Sequence, residues 1–427
     1  MDLSIALAGA RFAEAVPVMK RICAIMEGQG ANLEFLILTD TAAREDGWDD
    51  TEIPCAVRAV PRARGGFGAQ IHVTRQYAQG DWLIWLDRPV MEDASLVFGF
   101  WSRRHEGALL IASRYAPGGS HYMSRARTAL SRALNSLYRR GLDVHVRDLS
   151  SMRRMYRLSV LRQIPIQGGG YEALMEILLR VMSLGEDVVE IPWHYGAEVH
   201  WDSPAQWPRM ASQCLRTFLR MHALRNSVDY PDYDYRAYDS RIWLQRYWQR
   251  KRYRIVQEFA GISPRMLDIG CGSSRIIAHR PEMIALDVNP CRLRFLKRSN
   301  PRRLQATAGR LPFPDNVFDA VISSQVIEHT AEDSCVAEAV RVLRPAGVLV
   351  IGTPDYATFW WPITEKVYGF VKRGGYADEH INHYTYASLV EALEGEGCSV
   401  EAHRYIGGGE LIIKARKNGR PPADVQA

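Results

Sequence analysis

The sequence predicts an α/β protein made of two doubly wound domains, and three observations carry that reading. From Leu3 onward, short apolar runs of strand type alternate with amphipathic stretches of helical period, the pattern of a largely parallel sheet covered by helices. A second alternation of the same kind begins at Arg265. Between them, residues 229–255 shift from an acidic, tyrosine-rich stretch to one loaded with arginine and tryptophan, which marks a boundary. At 427 residues the chain has room for two or three domains at roughly 100–200 residues each. The expected division is 1–228, a linker helix at 229–255, 256–417, and a polar, Pro-containing tail at 418–427 that is expected to be mobile.

In the first domain the strands are expected at 3–8, 33–38, 82–86, 109–112 and 188–191, with helices at 12–26 and near 170–184. In the second they are expected at 266–269, 283–288, 318–323, 348–352 and 411–415. A hydrophobic fraction of 47% and a charged fraction of 24% exclude disordered and fibrous classes. The net charge of +6 is too small for a dedicated nucleic-acid binder, so no nucleic-acid partner is expected. Seven scattered cysteines without a C-x-x-C pair predict neither a zinc site nor a disulfide framework, and fit a reducing cytoplasm. No apolar run approaches the roughly 18–20 residues of a membrane span, and no basic region precedes the short apolar N-terminal stretch, so neither span nor signal peptide is expected.

The chemistry-bearing motifs of the second domain start at MLDIGCGSS, residues 266–274. Asp268, Gly270, Cys271 and Gly272 fall at a strand-to-helix turn, where glycines admit a ligand close to the backbone and a helix start offers free N–H groups. Asp287 stands 19 residues after Asp268 at the end of the next strand, where a carboxylate can accept both hydroxyls of a ribose. A dinucleotide pattern fails because Arg275 occupies its last glycine position.

With LPF at 311–313, Phe318, Asp319, Glu328, His329 and RVLRP at 341–345, the stretch from about 256 to 415 resembles the class I S-adenosylmethionine-dependent methyltransferases. It departs from them at Ser274, Ala346 and Thr307. The resemblance implies S-adenosyl-L-methionine as cofactor, with Asp268 and the backbone of 270–272 at the methionine part, Asp287 at the ribose and Val288 at the adenine face. Leu311 of the LPF loop joins that set. Methyl transfer is an in-line displacement that asks the protein for alignment, and for a base only when the nucleophile must lose a proton. His329, His380 and His383 are the candidate bases. For His329 the alternative is shaping of the cofactor pocket, and for His380 and His383 it is loop packing. No metal site is expected there, although DEHINH (378–383) has a spacing that two histidines could share.

In the first domain, ASRYAPGG (112–119), VRDLSSMRRMYRLSVLRQI (146–164) and GYEALMEILLRVMSLGEDVVEIPWHY (170–195) resemble the family-2 glycosyltransferases of the dolichol-phosphate mannosyltransferase-like branch, over about 3–225. The resemblance implies a nucleotide-diphospho-sugar-transferase-like fold, with Asp148, Glu176 and Glu190 on family positions. Asp40 and Asp87 mark the donor pocket, which has lost parts. The acidic pair after the second strand reads Thr39, Asp40, Thr41, Ala42; D-x-D reads Asp87, Arg88, Pro89; and the basic diphosphate segment reads AEVHWDS at 197–203. A hard divalent cation needs carboxylate oxygens, so the domain is expected to be a degenerate transferase acting as a substrate platform. Asp87 also reads as a strand-end turn residue, and Asp148 as a residue ordering its own loop.

Residues 123–140 combine Leu130, Leu134 and Leu137 with Arg125, Arg127, Arg132, Arg139 and Arg140 at helical spacing. Such a helix suits either core packing or the inner face of a membrane, and the latter would accompany a small-molecule or lipid-linked saccharide substrate. The expected function is O-methylation of a sugar, glycolipid or glycosylated natural-product intermediate. The alternatives are a bifunctional glycosyltransferase/methyltransferase and a noncatalytic module that binds the cofactor.

Overall fold

The structure is a computed structural model that describes residues 1–40, 49–88, 90–123, 125–195, 207–330, 334–359, 361 and 381–419. The chain folds as two compact units, Met1–Arg225 and Asn226–Ala427.

The first unit runs β1 (Leu3–Ala8), α1 (Phe12–Met26), β2 (Leu33–Thr39), β3 (Ala56–Pro61), α2 (Phe67–Tyr77), β4 (Trp82–Asp87), α3 (Asp93–Ser102), β5 (Leu109–Ser113), β6 (Ser120–His121), α4 (Arg125–Leu142), β7 (Arg154–Arg157), α5 (Leu158–Gln163), α6 (Ala173–Ser183), β8 (Val188–Pro192), β9 (His194–Tyr195) and α7 (Trp207–Arg225). Seven strands form one sheet in the order β3-β2-β1-β4-β7-β5-β8. Every residue of β1 and β2 is buried, because a parallel strand covered on both faces has no solvated side. Two of the three polar residues in these strands satisfy each other: Ser4 donates to Glu34 at 2.5 Å, and Glu34 also accepts from the Gln79 N–H at 2.6 Å. Alternate residues of β1 enter opposite apolar layers, Leu3, Ile5 and Leu7 with Phe35 and Phe100, Ala6 and Ala8 with Trp85 and Phe67.

The structure adds strands that periodicity did not reveal. β7 reads RMYR and lies antiparallel between β4 and β5, so the sheet is mixed. Arg154, fully buried, hides the strand from a hydrophobic pattern. Its guanidinium donates to the carbonyls of Leu149, Ser151 and Leu174 at 2.7–2.8 Å and so spans three loops and elements at once. α4 also departs from a simple amphipathic helix. Ser131 and Asn135 are buried, Asn135 accepting the Leu149 N–H at 2.9 Å, while Leu134 and Leu137 are 40% and 61% exposed.

The second unit runs α8 (Tyr233–Ala237), α9 (Trp243–Ala260), β10 (Met266–Ile269), α10 (Arg275–Ala278), β11 (Ile284–Asp287), α11 (Pro290–Phe295), β12 (Arg303–Gln305), β13 (Phe318–Ser324), α12 (Cys335–Val342), β14 (Leu343–Pro354), α13 (Tyr386–Gly395), β15 (Cys398–Ile406) and β16 (Glu410–Lys417). The sheet order is β12-β11-β10-β13-β14-β16-β15, parallel up to β14 and closed by the antiparallel strands β16 and β15. The segment expected as a linker, 229–255, is integral to this unit. α9 buries Ile255, Val256, Phe259 and Ala260 against Met266, Ile322 and Val350. Of the 418–427 tail only Asn418 and Gly419 fall among the described residues. Among the described residues no helix is long and apolar enough to cross a membrane.

Arg154→Ala strips three buried carbonyls of their donors at about 1–3 kcal/mol each. The substitution is expected to lower the stability of the first unit by about 3 kcal/mol, read as a shift of its urea transition in the full chain.

Candidate functional site

The site grows from the turn that follows β10. Gly270 and Gly272 both take left-handed backbone, with φ of 62° and 55°. A side chain on Gly270 would run into Val326, and one on Gly272 would come within 2.6 Å of an Asp234 carboxylate oxygen. At the end of the neighbouring β11, Asp287 is buried and accepts the Gly272 N–H at 2.8 Å and the Asn289 N–H at 2.7 Å, with Arg292 3.8 Å away. A carboxylate offers about four acceptor positions, so two remain for a diol such as a ribose. Val288 beside it is 64% exposed, an apolar surface open to a flat base. A groove of about 590 Å3 continues from there, lined by Leu304, Gln305, Ala306 and the 310–314 loop. Gln305 closes the connection by donating to the Val288 carbonyl at 3.2 Å.

Asp268 lies at the floor of the turn. Burial first, and then the charge of Asp287, push its carboxyl up to about 8. The ammonium of an amino-acid moiety would restore its charged form, so the residues present fit S-adenosylmethionine. Burial, followed by Asp268 and Asp287, likewise pushes the Cys271 thiol upward, which makes Cys271 a neutral, compact wall. Leu311 is buried in the core beside Phe318, and its backbone is clamped. Its N–H donates to Glu338 at 2.6 Å, and its carbonyl accepts from Arg341 at 3.0 Å. Arg341 also donates to the Phe313 carbonyl at 2.8 Å, so the LPF and RVLRP motifs form one device that shapes the groove.

The tyrosine-rich segment supplies the wall that sequence reading missed. Besides Asp234 at Gly272, Tyr235 donates its N–H to Ser273 at 3.4 Å, and Arg275 lies 3.6 Å over the Tyr235 ring while pairing with Asp239 at 2.8 Å. The aromatic density was visible in the sequence, but its partners were not.

Of the candidate bases, His329 is half-buried at the end of a short 3-10 turn, with its N–H on the Val326 carbonyl at 3.0 Å. His383 is exposed and sets its ring edge-on to Tyr356 at 4.3 Å. Their segments meet: the N–H groups of Ile381 and Asn382 donate to the Glu328 carbonyl, and the Asn382 amide donates to the Thr330 carbonyl at 2.6 Å. His380 lies outside the described residues, and so do residues 378 and 379. Between these groups stands Glu328, not singled out as a base from sequence, fully buried with its carboxyl pushed up to about 8 chiefly by burial.

The acids of the first unit tell a different story. Asp148 is fully buried, and Arg114 holds it through its backbone N–H at 3.0 Å and two guanidinium nitrogens at 2.7 and 2.8 Å. Burial raises its carboxyl, but the bonds from Arg114 outweigh that and hold it below the usual carboxylate range. Its main partner is thus Arg114 rather than the backbone of its own loop. Glu190 accepts from Ser113 and from the Arg147 and Asp148 N–H groups. Glu176 is buried under the N–H groups of Gln167 and Gly168 and the guanidinium groups of Arg180 and Arg220. Asp87 ends β4, raised by burial against the opposing pull of Arg88 and Arg153. Asp40 is exposed, 3.4 Å from Arg62. Asp148 and Glu176 therefore sit in separate arginine networks. Among the described residues no group of three or more His, Cys, Asp or Glu side chains is placed to hold a metal ion.

Two outcomes follow for the cofactor site. Asp287→Ala takes away the two acceptor positions open to a diol, worth about 1.5 kcal/mol or more each, so S-adenosylhomocysteine affinity by calorimetry is expected to fall about 100-fold. An acid whose carboxyl is raised on folding adds stability at low pH that is lost as pH rises through the raised value. The ligand-free protein should therefore lose stability from about pH 4 to 8, and Asp268→Asn should flatten that slope in urea titrations at stepped pH.

Residues 267–351 match the family model of a methyltransferase domain. The chain is 33% identical over 121 residues to a probable S-adenosylmethionine-dependent methyltransferase of Mycobacterium tuberculosis, covering 26% of this chain and 43% of that protein. To a similarly named protein of Mycolicibacterium smegmatis it is 31% identical over 163 residues, 36% of this chain and 60% of the relative. To the ubiquinone/menaquinone biosynthesis C-methyltransferase of Stutzerimonas stutzeri it is 33% identical over 117 residues, 24% of this chain and 46% of the relative. The chain thus spans about half the length of these curated relatives. The glycine turn, the acid at the end of β11 and these matches converge on one statement: the C-terminal unit carries a class I S-adenosylmethionine-dependent methyltransferase domain.

Proposed function

We propose that this chain is an S-adenosylmethionine-dependent methyltransferase that methylates a sugar, glycolipid or glycosylated natural-product intermediate at oxygen, with the N-terminal unit as a substrate platform. The observation that carries the methyl-transfer reading is the pair Asp268 and Asp287 at the glycine turn, one carboxyl waiting for a cation and the other with acceptor capacity to spare. Bound there, S-adenosylmethionine supplies a methyl group on a sulfonium. The chain's own residues do the rest: Asp287 and Val288 hold the nucleoside, Asp268 fixes the amino-acid end, and the Asp234–Tyr235 wall narrows the approach. The name of the Stutzerimonas relative favours a second reading, C-methylation of a quinone precursor.

Support for the platform role of the N-terminal unit, a glycosyltransferase-like domain that no longer transfers sugar, comes from its acids. Asp148 and Glu176 are saturated by arginines, and Asp87 is followed by Arg88 where a second carboxylate would be needed. A peripheral place at the cytoplasmic face of the inner membrane, suited to a lipid-linked acceptor, is supported by the exposed Leu134 and Leu137 on α4 and Leu215 and Leu219 on α7, beside Arg139 and Arg140.

Mass spectrometry of small molecules and lipids from cells with and without the gene is expected to show a product lacking one methyl group in the deletion. A product lacking a hexose as well would favour the bifunctional reading. Calorimetry of the full chain with nucleotide-diphosphate sugars and Mg2+ or Mn2+ is expected to show no micromolar binding. Micromolar binding accompanied by sugar transfer would end the platform role.

A further inference from the structure

Just beyond the carboxyl ends of β13 and β14 lies a patch of buried polar atoms without hydrogen-bond partners. Neither carboxylate oxygen of Glu328 has a partner at normal hydrogen-bond geometry, and the Ser324 hydroxyl, the Thr353 hydroxyl and the Gln325 amide nitrogen are in the same condition, although the Glu328 backbone N–H and the Thr353 hydroxyl lie near enough to favour the charged carboxylate. Glu328 and Thr353 are fully buried. These groups belong together: Ser324 pairs with Gly352 in the sheet, and the Gln325 N–H donates to the Gly352 carbonyl at 2.7 Å. Gln325 itself holds a left-handed backbone, φ 62°, rare and strained for a residue with a side chain. Val326, next in the chain, packs over Gly270, which brings the patch against the cofactor turn.

Each unsatisfied buried group costs about 1–3 kcal/mol, and a strained residue at the same spot adds to it. Such a concentration at the ligand-facing edge of a doubly wound sheet marks a place where a ligand supplies the missing bonds. The neighbouring acid shows the contrast. Glu410 on β16 takes two guanidinium nitrogens of Arg252 at 2.6 and 2.7 Å, and the Trp248 ring N–H as well.

We propose that Glu328, together with the hydroxyls of Ser324 and Thr353 and the amide of Gln325, forms the subsite for a hydroxyl-bearing methyl acceptor, and that Glu328 is the base that receives the hydroxyl proton. The inference rests on the methyltransferase reading of the same site. A hydroxyl both donates and accepts, so it can give its hydrogen to Glu328 and take one from Ser324, Thr353 or Gln325. The remaining donors then suit the adjacent hydroxyls of a polyol or sugar ring, a match that the carbon nucleophile of a quinone ring does not offer. As the acceptor oxygen bonds to the methyl carbon, the carbon–sulfur bond breaks and its electron pair stays on sulfur as a neutral thioether. The hydroxyl proton passes to a Glu328 oxygen and from there to water.

The charges around Glu328 set when it can act. Burial keeps the acid form, and Glu410 reinforces it; the Glu328 backbone N–H, Arg252 from α9 and the Thr353 hydroxyl from β14 favour the carboxylate. With its carboxyl pushed up to about 8, Glu328 is largely protonated below that pH in the ligand-free protein. A sulfonium brought beside it would release the proton and ready the base.

The test compares S-adenosylmethionine with S-adenosylhomocysteine, which share the ammonium and differ by the sulfonium, in calorimetric titrations at pH 8 in buffers of different ionisation enthalpy. The full-length wild type is expected to release more protons with S-adenosylmethionine. Glu328→Gln should abolish that difference, weaken S-adenosylmethionine binding several-fold because the ligand that expels the proton also favours the carboxylate, and leave S-adenosylhomocysteine affinity within about twofold. Glu328→Asp, which keeps a carboxyl, should retain the difference. With methyl-labelled S-adenosylmethionine and an extract of cells lacking the gene as acceptor, Glu328→Gln should cut incorporation by about 100-fold or more, and the wild-type label should sit in an alkali-stable methyl ether. A proton difference that survives in Glu328→Gln, undiminished incorporation, or label on carbon or in an alkali-labile ester would overturn the proposal while the methyltransferase reading stands. Wild type that binds neither compound would overturn that reading, and this inference with it.

Discussion

The C-terminal unit depends on the carboxylate of Asp287. It joins the turn after β10 to the turn after β11 by accepting one N–H from each, from Gly272 and from Asn289. That bridge, together with the Cys271 N–H on the Leu286 carbonyl at 3.0 Å, joins the end of β11, the glycine turn and Val288 into one edge. Burial first, and then the charge of Asp287, raises Asp268, while burial, Asp268 and the same charge in turn raise Cys271. One buried carboxylate therefore ties the backbone of the site together and adds to the burial that favours the neutral form of its neighbours.

Buried acids are handled in two ways, and that contrast separates scaffold from chemistry. In the N-terminal unit Asp93, Asp148 and Glu176 each meet at least one arginine, and Arg114 and Arg153 both approach the Tyr195 ring, at 5.6 and 5.0 Å. Charges paired in this way are satisfied and hold loops in place; little acceptor capacity is left for an incoming cation. In the C-terminal unit Asp268 and Glu328 are buried with their carboxyls raised, at the carboxyl edge of the sheet. Uncompensated acids cost stability, and their concentration at one edge is the physical signature of a site that expects a ligand.

Much of this was legible without coordinates. The strands β1, β2, β10 and β13 follow from apolar runs buried on both faces, and the glycine turn and Asp287 follow from spacing. What was lost has particular causes. β7 was invisible because a fully buried arginine interrupts its apolar pattern. The Tyr/Arg segment looked like a connector because its partners Gly272, Ser273 and Arg275 lie some 40 residues downstream. Glu328 stood in view beside His329, yet its full burial and raised carboxyl come from neighbours in space and could not be read from residue type.

Local chemistry and spacing, by themselves, determined the α/β character of each unit and the positions of the glycine turn and the strand-end acid beside it, because strand period, glycine and a strand-end carboxylate are read along the chain. Only the tertiary structure decided which acids are satisfied and which are left uncompensated. That depends on whether an arginine from a distant element arrives, as Arg114 does at Asp148 and Arg252 does at Glu410, or whether none completes a hydrogen bond, as at Glu328. Burial and pairing are properties of neighbours in space, and a linear sequence carries them only implicitly.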